Sequence, residues 1–298
     1  MTSPRSRPWL LVLTLWTLVG VGCARVETIE GISYDDRHGR AELDVYLPAG
    51  APPPGGWPAV LSIHGGGWRS GDKGAMQLGA ERLARAGYVV VNINYRLVPA
   101  GTYPAAVQDA LCALAFTRAR AAAWGLDPAR IATFGYSAGG HLASMLGVAA
   151  SAPTHQPDCA AGPTGPPAAV ISGAGPQDLR LYPEVAAVVE FVGGSKAAVP
   201  ERWDAASPVT HVAAGAPPFL FVHGEEDWLV DLEHARAMQA ALDAVGTPSE
   251  LLALPAGGHL WNRDAAAGRY DVVMSSDTAE AWLAIIDFLD RTLGGGAP

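Results

Sequence analysis

The chain has 298 residues, a formal charge of −9 and an apolar fraction of 49%. That balance supplies a large buried core and leaves no extended basic surface, which argues against nucleic acid as the main partner. None of the three cysteines has a histidine or second cysteine at metal-ligand spacing, so no metal centre is expected.

The first 23 residues stand apart from the rest. Arg5 and Arg7 precede an apolar stretch from Pro8 to Val21, and Gly22-Cys23 follow. This is the layout of an export signal, and the stretch is too short for a comfortable membrane span. Val19-Gly20-Val21-Gly22-Cys23 is similar to a bacterial lipobox, with Gly20 where leucine is usual. The expectation is an exported protein held at the cell envelope by a lipid on Cys23. An ordinary signal cut near Ala24 and an uncleaved anchor are the alternatives. With Cys23 lipidated, Cys112 and Cys159 remain as an even pair that can form a disulfide in an oxidising compartment. Cys112 lies in an apolar helical pattern, which suits a buried free thiol equally well.

Val26–Ile29 and Glu42–Tyr46 alternate apolar and polar residues and predict an antiparallel edge hairpin. Pro58–Ile63 and Tyr88–Tyr95 are apolar runs suited to strands buried on both faces. Between them Lys73–Ala86 has helical spacing and is stopped by Gly87. Pro104–Trp124 predicts one long alanine-rich helix, opened by its proline and closed before Gly125. Ile131–Gly135 reads as a strand and Ala138–Ala150 as the helix leaving it. Further strands are expected at Ala168–Ser172, Phe219–His223 and Glu250–Leu254, and helices at Leu232–Ala244 and Ala279–Leu293. Strands alternating with helices call for a mostly parallel central sheet flanked by helices, in one α/β domain over residues 26–298. Residues 174–217 break the rhythm and are read as a small insertion over the active site, a lid or pocket wall.

Two motifs carry chemistry. Gly135-Tyr136-Ser137-Ala138-Gly139 sits between a strand and a helix, the context of a nucleophile elbow. Upstream, His64-Gly65-Gly66-Gly67-Trp68 follows another strand and supplies main-chain N–H groups to a substrate oxygen. A serine hydroxyl needs a base within hydrogen-bond reach, and on such an elbow the acid and then the histidine follow the serine in the chain. That order sets aside His38, His64, His141, His155 and His211. His223 falls inside a strand, and His234 in a helix, where a surface place is expected. His259, after the last strand, is the candidate base. Glu225, Glu226, Asp227 and Asp231 compete as the acid, with Asp227 favoured for its place after the turn. Gly66, Gly67 and Ala138 are the expected oxyanion donors, with Gly65 in reserve, and His64 is expected to brace the loop. Trp68, Tyr182, Phe191 and Trp228 are the candidate walls of a substrate pocket.

The chain resembles the esterase/lipase branch of the α/β-hydrolases, including hormone-sensitive-lipase-like enzymes and the feruloyl and acetyl-xylan esterase type. The segments that carry the resemblance are His64–Lys73 (HGGGWRSGDK), Val91–Val98 (VNINYRLV), Gly135–Ala143 (GYSAGGHLA), Phe219–Val230 (FLFVHGEEDWLV) and Leu254–His259 (LPAGGH). The resemblance implies a serine esterase without cofactor, working through an acyl-enzyme with Ser137, Asp227 and His259 as its triad. Short-chain, aryl or glycan-borne acyl esters are the expected substrates. An amide hydrolase on the same triad and a non-catalytic envelope scaffold are the rival expectations.

Overall fold

A computed structural model describes residues 25–261 and 278–295. The predicted export signal and Cys23 lie outside the described residues. Eight strands form one sheet: β1 (Glu27–Ser33), β2 (Glu42–Leu47), β3 (Trp57–Ile63), β4 (Val89–Ile93), β5 (Leu126–Tyr136), β6 (Ala169–Gly173), β7 (Phe219–Gly224) and β8 (Ser249–Leu254). Their spatial order is β1-β2-β4-β3-β5-β6-β7-β8. The pairs β1–β2 and β2–β4 are antiparallel, and every later pairing is parallel. The hairpin therefore caps one edge of a parallel sheet, as its alternating sequence predicts.

The helices are α1 (Gln77–Arg85), α2 (Ala105–Ala119), α3 (Ala121–Trp124), α4 (Ala138–Ala149), α5 (Ala186–Val192), α6 (Pro200–Ala205), α7 (Glu233–Ala244) and α8 (Thr278–Leu293). Strand side chains alternate between two faces, so each strand feeds two cores. Val60, Val90 and Phe134 meet α1 and α8 through Leu83, Trp282 and Phe288. Leu61, Val91 and Phe221 meet α2, α4 and α7 through Leu111, Leu142 and Met238 on the other side. α1 and α8 cross closely, and a Cβ on Gly79 would lie 2.7 Å from the Trp282 ring.

Three local readings change. The helix expected from Pro104 to Trp124 breaks at Arg120, whose φ of −96° and ψ of 4° end α2 before α3 begins. His234, expected on the surface, is 2% exposed because α7 turns that side inward. The open question at the cysteines is answered by a disulfide from Cys112 on α2 to Cys159, past the end of α4. Residues 174–217 carry α5 and α6 together with short 3₁₀ turns at Leu179–Leu181 and Pro208–His211.

Candidate active site

Ser137 joins β5 to α4 with φ 54° and ψ −120°. A non-glycine residue in such a conformation costs on the order of 1–3 kcal/mol and persists only where its surroundings hold it. Here its N–H donates to the Gly173 carbonyl at 2.7 Å, and its carbonyl accepts from the His141 N–H at 3.0 Å. The flanking glycines are required by space. A Cβ on Gly135 would stand 2.0 Å from the Gly139 oxygen, and one on Gly139 would stand 2.1 Å from the Ile63 oxygen. Both obstacles are backbone, which cannot step aside.

The glycine-rich loop leaves β3 and lies against this elbow; a Cβ on Gly65 would reach 3.2 Å from the Ser137 Cβ. Gly66 at φ +116° and Gly67 at φ +59° turn the chain sharply, and Trp68 keeps a positive φ of 58°. The Gly66 carbonyl accepts from the N–H groups of Arg69 and Ser70, each at 3.1 Å. Among the described residues the amides of Gly66, Gly67 and Ala138 donate to no other group, which leaves them available to a substrate oxygen. His64 stacks on Tyr95 at 4.4 Å, its Nδ1–H donates to the Gly65 carbonyl at 2.7 Å, and the Tyr95 hydroxyl donates to the His64 carbonyl at 3.0 Å. Burial brings the His64 pKa down to about 4, so its imidazole braces the loop without charge. At the far end of the loop, the Asn94 side chain accepts from the Lys73 N–H at 2.7 Å and donates to Asp72 at 2.8 Å.

The loops after β7 and β8 are laced together. Glu225 N–H donates to the Leu254 carbonyl at 3.0 Å, and Glu226 N–H donates to the Gly257 carbonyl at 2.9 Å. Gly224 is the close point, since a Cβ there would lie 2.1 Å from the Gly257 oxygen. This lacing presents Asp227 to His259. The His259 Nδ1–H donates to Asp227 Oδ2 at 2.8 Å, and its Nε2 accepts from the Ser137 hydroxyl at 3.0 Å. Of the four competing carboxylates only Asp227 is buried; Glu225, Glu226 and Asp231 are exposed. Burial alone would resist the Asp227 charge. Hydrogen bonds from His223 and His259, the nearby His259 ring and the Val230 amide outweigh it and hold the carboxyl well below its ordinary range. A hydroxyl, an imidazole and an ionised carboxylate thus form one hydrogen-bonded line beside free amides.

A cavity of about 380 Å³ opens onto Ser137 and His259, walled by Met76, Leu229 and Leu260 with the glycine loop beneath. None of the four aromatic residues expected to wall it is among its lining residues. Trp68 is 3% exposed and stacks on the fully buried Phe191 at 4.3 Å, so that pair packs the core under the insertion. Tyr182 is half-buried against His234, with ring centroids 4.8 Å apart. Trp228 is 78% exposed, next to the wall residue Leu229. Its place inside a strand set His223 aside, yet its ring lies 3.3 Å from Asp227. The only signal was its place four residues before the acid.

Structural comparison gives the same architecture. The "Truncated form of carbohydrate esterase from gut microbiota" superposes with a TM-score of 0.76 at 23% identity, covering 91% of this chain and 98% of that one. Apo Thermogutta terrifontis esterase 2 gives a TM-score of 0.69 at 26% identity, over 90% and 94% of the two chains. The fold is that of the α/β-hydrolases. In sequence, Esterase LipC of Mycobacterium tuberculosis is 34% identical over 213 residues, which is 68% of this chain and 52% of LipC. The same organism's probable carboxylic ester hydrolase LipM is 33% identical over 267 residues, which is 87% of this chain and 60% of LipM. The chain thus spans between half and three-fifths of these curated relatives. Residues 43–242, from β2 through the elbow and the acid loop to α7, match the BD-FAE family, and the chain belongs to it.

Proposed function

We propose that this chain is a serine-dependent carboxylic-ester hydrolase that works through an acyl-enzyme. The observation that supports this most directly is the unbroken hydrogen-bonded line from Ser137 through His259 to Asp227. As Ser137 Oγ attacks the acyl carbon, His259 Nε2 takes its proton, and Asp227 stabilises the imidazolium that results. Negative charge gathers on the former carbonyl oxygen, which the amides of Gly66, Gly67 and Ala138 receive. The tetrahedral intermediate collapses as His259 returns the proton to the departing alcohol oxygen. A water molecule, deprotonated by the same imidazole, then attacks the acyl carbon and releases the acid with Ser137 restored. Relatives and neighbours named as esterases support the same reading.

The cavity walls named above carry no charged side chain, and its volume of about 380 Å³ suits a short acyl group on an uncharged alcohol. A glycan-borne acetyl ester is the finer proposal, prompted by the neighbour named as a carbohydrate esterase. The test is a p-nitrophenyl ester series from acetate to palmitate, with an aminoacyl-nitroanilide and acetylated xylan in parallel, on wild type and S137A. Turnover should peak at short acyl chains and fall by about 10⁶ in S137A. Faster amide than ester turnover, or S137A activity equal to wild type, would overturn the assignment; a palmitate optimum would remove the short-acyl part.

We also propose that the N-terminal segment is an export signal with lipid attachment at Cys23. The Cys112–Cys159 disulfide supports an oxidising compartment. The intact mass of membrane-fraction protein should correspond to a chain starting at Cys23 and carrying acyl groups. A mature chain starting at Ala24, or an uncleaved one, would sink the idea.

A further inference from the structure

Asp227 is held by more than His259. Its Oδ1 accepts from the N–H groups of Leu229 and Val230, both at 2.9 Å, and its side chain has no exposed surface. Oδ2 faces two imidazoles, His259 Nδ1 at 2.8 Å and His223 Nε2 at 3.3 Å. His223 is 1% exposed and occupies the penultimate position of β7, so a strand paired in parallel on both sides, with β6 and β8, sets its place. Its Nε2 lies 2.7 Å from the Val230 carbonyl. A carbonyl only accepts, so Nε2 must carry the proton. That N–H donates to the Val230 oxygen, and the Asp227 carboxylate lies 3.3 Å from the same nitrogen. It ties both ends of the Asp227–Val230 turn to the rigid end of β7.

We infer that His223 is a positioning residue that fixes the Asp227 carboxylate, and the turn carrying it, for its hydrogen bond to His259. The inference rests on the triad reading proposed above. A flexible turn would leave the carboxylate free to rotate on its two amides, and small displacements of catalytic groups are costly. β7 prevents this through His223. The groups that bear on this cluster are His259 from the β8 loop, His234 and Asp231 at the start of α7, Asp178 and Tyr182 from the insertion, and Tyr136 from the elbow. None of the others among these approaches Asp227 as a second hydrogen-bond donor within the described residues.

The experiment compares H223N with H223Q. The glutamine amide nitrogen reaches the position of the imidazole Nε2, whereas the asparagine amide stops one methylene short. H223N should lower kcat on p-nitrophenyl acetate by about tenfold while KM stays within about twofold, because the lost interaction matters in the transition state. H223Q should recover most of that loss. The acid limb of the kcat/KM profile should move to lower pH in H223N by about half a unit, since a loosened Asp227 supports the His259 imidazolium less. A residue that only stabilises the fold would shift the melting temperature and leave rate and acid limb unmoved. All rates are normalised to sites titrated with a fluorophosphonate, which removes unfolded protein from the count. Wild type that neither hydrolyses esters nor takes the label would defeat the triad reading. Active wild type with H223N within twofold of it, and an unmoved acid limb, would defeat the role of His223 alone. Equal losses in H223N and H223Q would also defeat it.

Discussion

Gly66 and Gly67 are adjacent and both adopt positive φ, yet they tolerate a side chain very differently. A Cβ on Gly66 would stand 2.1 Å from the Ser70 carbonyl oxygen at a φ of +116°, a region that side chains other than glycine avoid. At Gly67 the φ of +59° is ordinary left-handed backbone, and the nearest atom to a new Cβ is the Ala187 methyl at 3.7 Å. G66A should therefore displace the loop and the amides it presents, lowering kcat on p-nitrophenyl acetate by about 10² or more. G67A keeps its N–H in place and should lose about 1 kcal/mol in a urea melt with kcat within about tenfold. Equal losses of kcat in the two variants would show that the loop does not act through the register described. At this scale the hydrogen-bonded grouping of Ser137, His259 and Asp227 was readable because the fold's connectivity orders the three along the chain. His223 was hidden because it lies inside a strand, a place where a loop-borne base is not sought. The same ordering also could not tell Trp68 and Phe191 from pocket walls. Whether an aromatic side chain points into a cleft or into the core depends on neighbours far away in sequence.

Strand and helix positions were legible wherever burial imposes a pattern. β3 and β4 are fully buried, and their sequences are apolar apart from Ser62 and Asn92. The break of α2 at Arg120 was not legible, because alanine and arginine on both sides favour helix and no glycine or proline marks the stop. Tertiary demands explain α2 better than propensity does. Asp109 on α2 has a fully buried side chain that grips the Arg96 guanidinium at 2.6 Å and accepts the Arg96 N–H at 2.8 Å. It thereby fixes the segment following β4 that carries Asn94 and Tyr95, the two residues that brace the glycine loop. Removing one partner of such a buried pair costs on the order of 3–5 kcal/mol. The disulfide works on the same helix: its two ends are 47 residues apart, and closing a loop of that length stabilises the fold by about 4 kcal/mol in the chain-entropy account. No sequence rule decides between that bond and two free thiols, since the 6.2 Å approach of the Cα atoms depends on how α2 packs beside α4.

Over the whole molecule, the dependence of stability on pH follows from how many histidines the two cores enclose. Burial brings His64, His141 and His234 each down from 6.5 to about 4. Backbone carbonyls partly offset burial at the first two, and the nearby Asp178, Asp231 and Asp227 carboxylates partly offset it at His234. In the unfolded chain these imidazoles bind protons at ordinary pH values near 6.5, whereas in the folded chain they stay neutral until about pH 4. Between those limits the unfolded state holds more protons, so unfolding free energy must fall as pH is lowered. Each such group contributes a slope of about 1 kcal/mol per pH unit through that window. Asp227 acts in a different range. Its folded pKa is depressed, so its contribution is present above pH 3.8 and is lost only as pH falls through the lower folded value. The interval from pH 6.5 down to about 4.5 therefore reports the histidines before the carboxylates intervene. Urea unfolding at pH 7.5, 6.5, 5.5 and 4.8 should give a stability that is level at the upper end and then declines steeply, with an unchanged m-value. H141N and H234N should each flatten that decline, whatever they cost at pH 7.5. A profile that stays level down to pH 4.8 would mean these rings are not held neutral in the cores, and the packing assigned to both sides of the sheet would have to be redrawn.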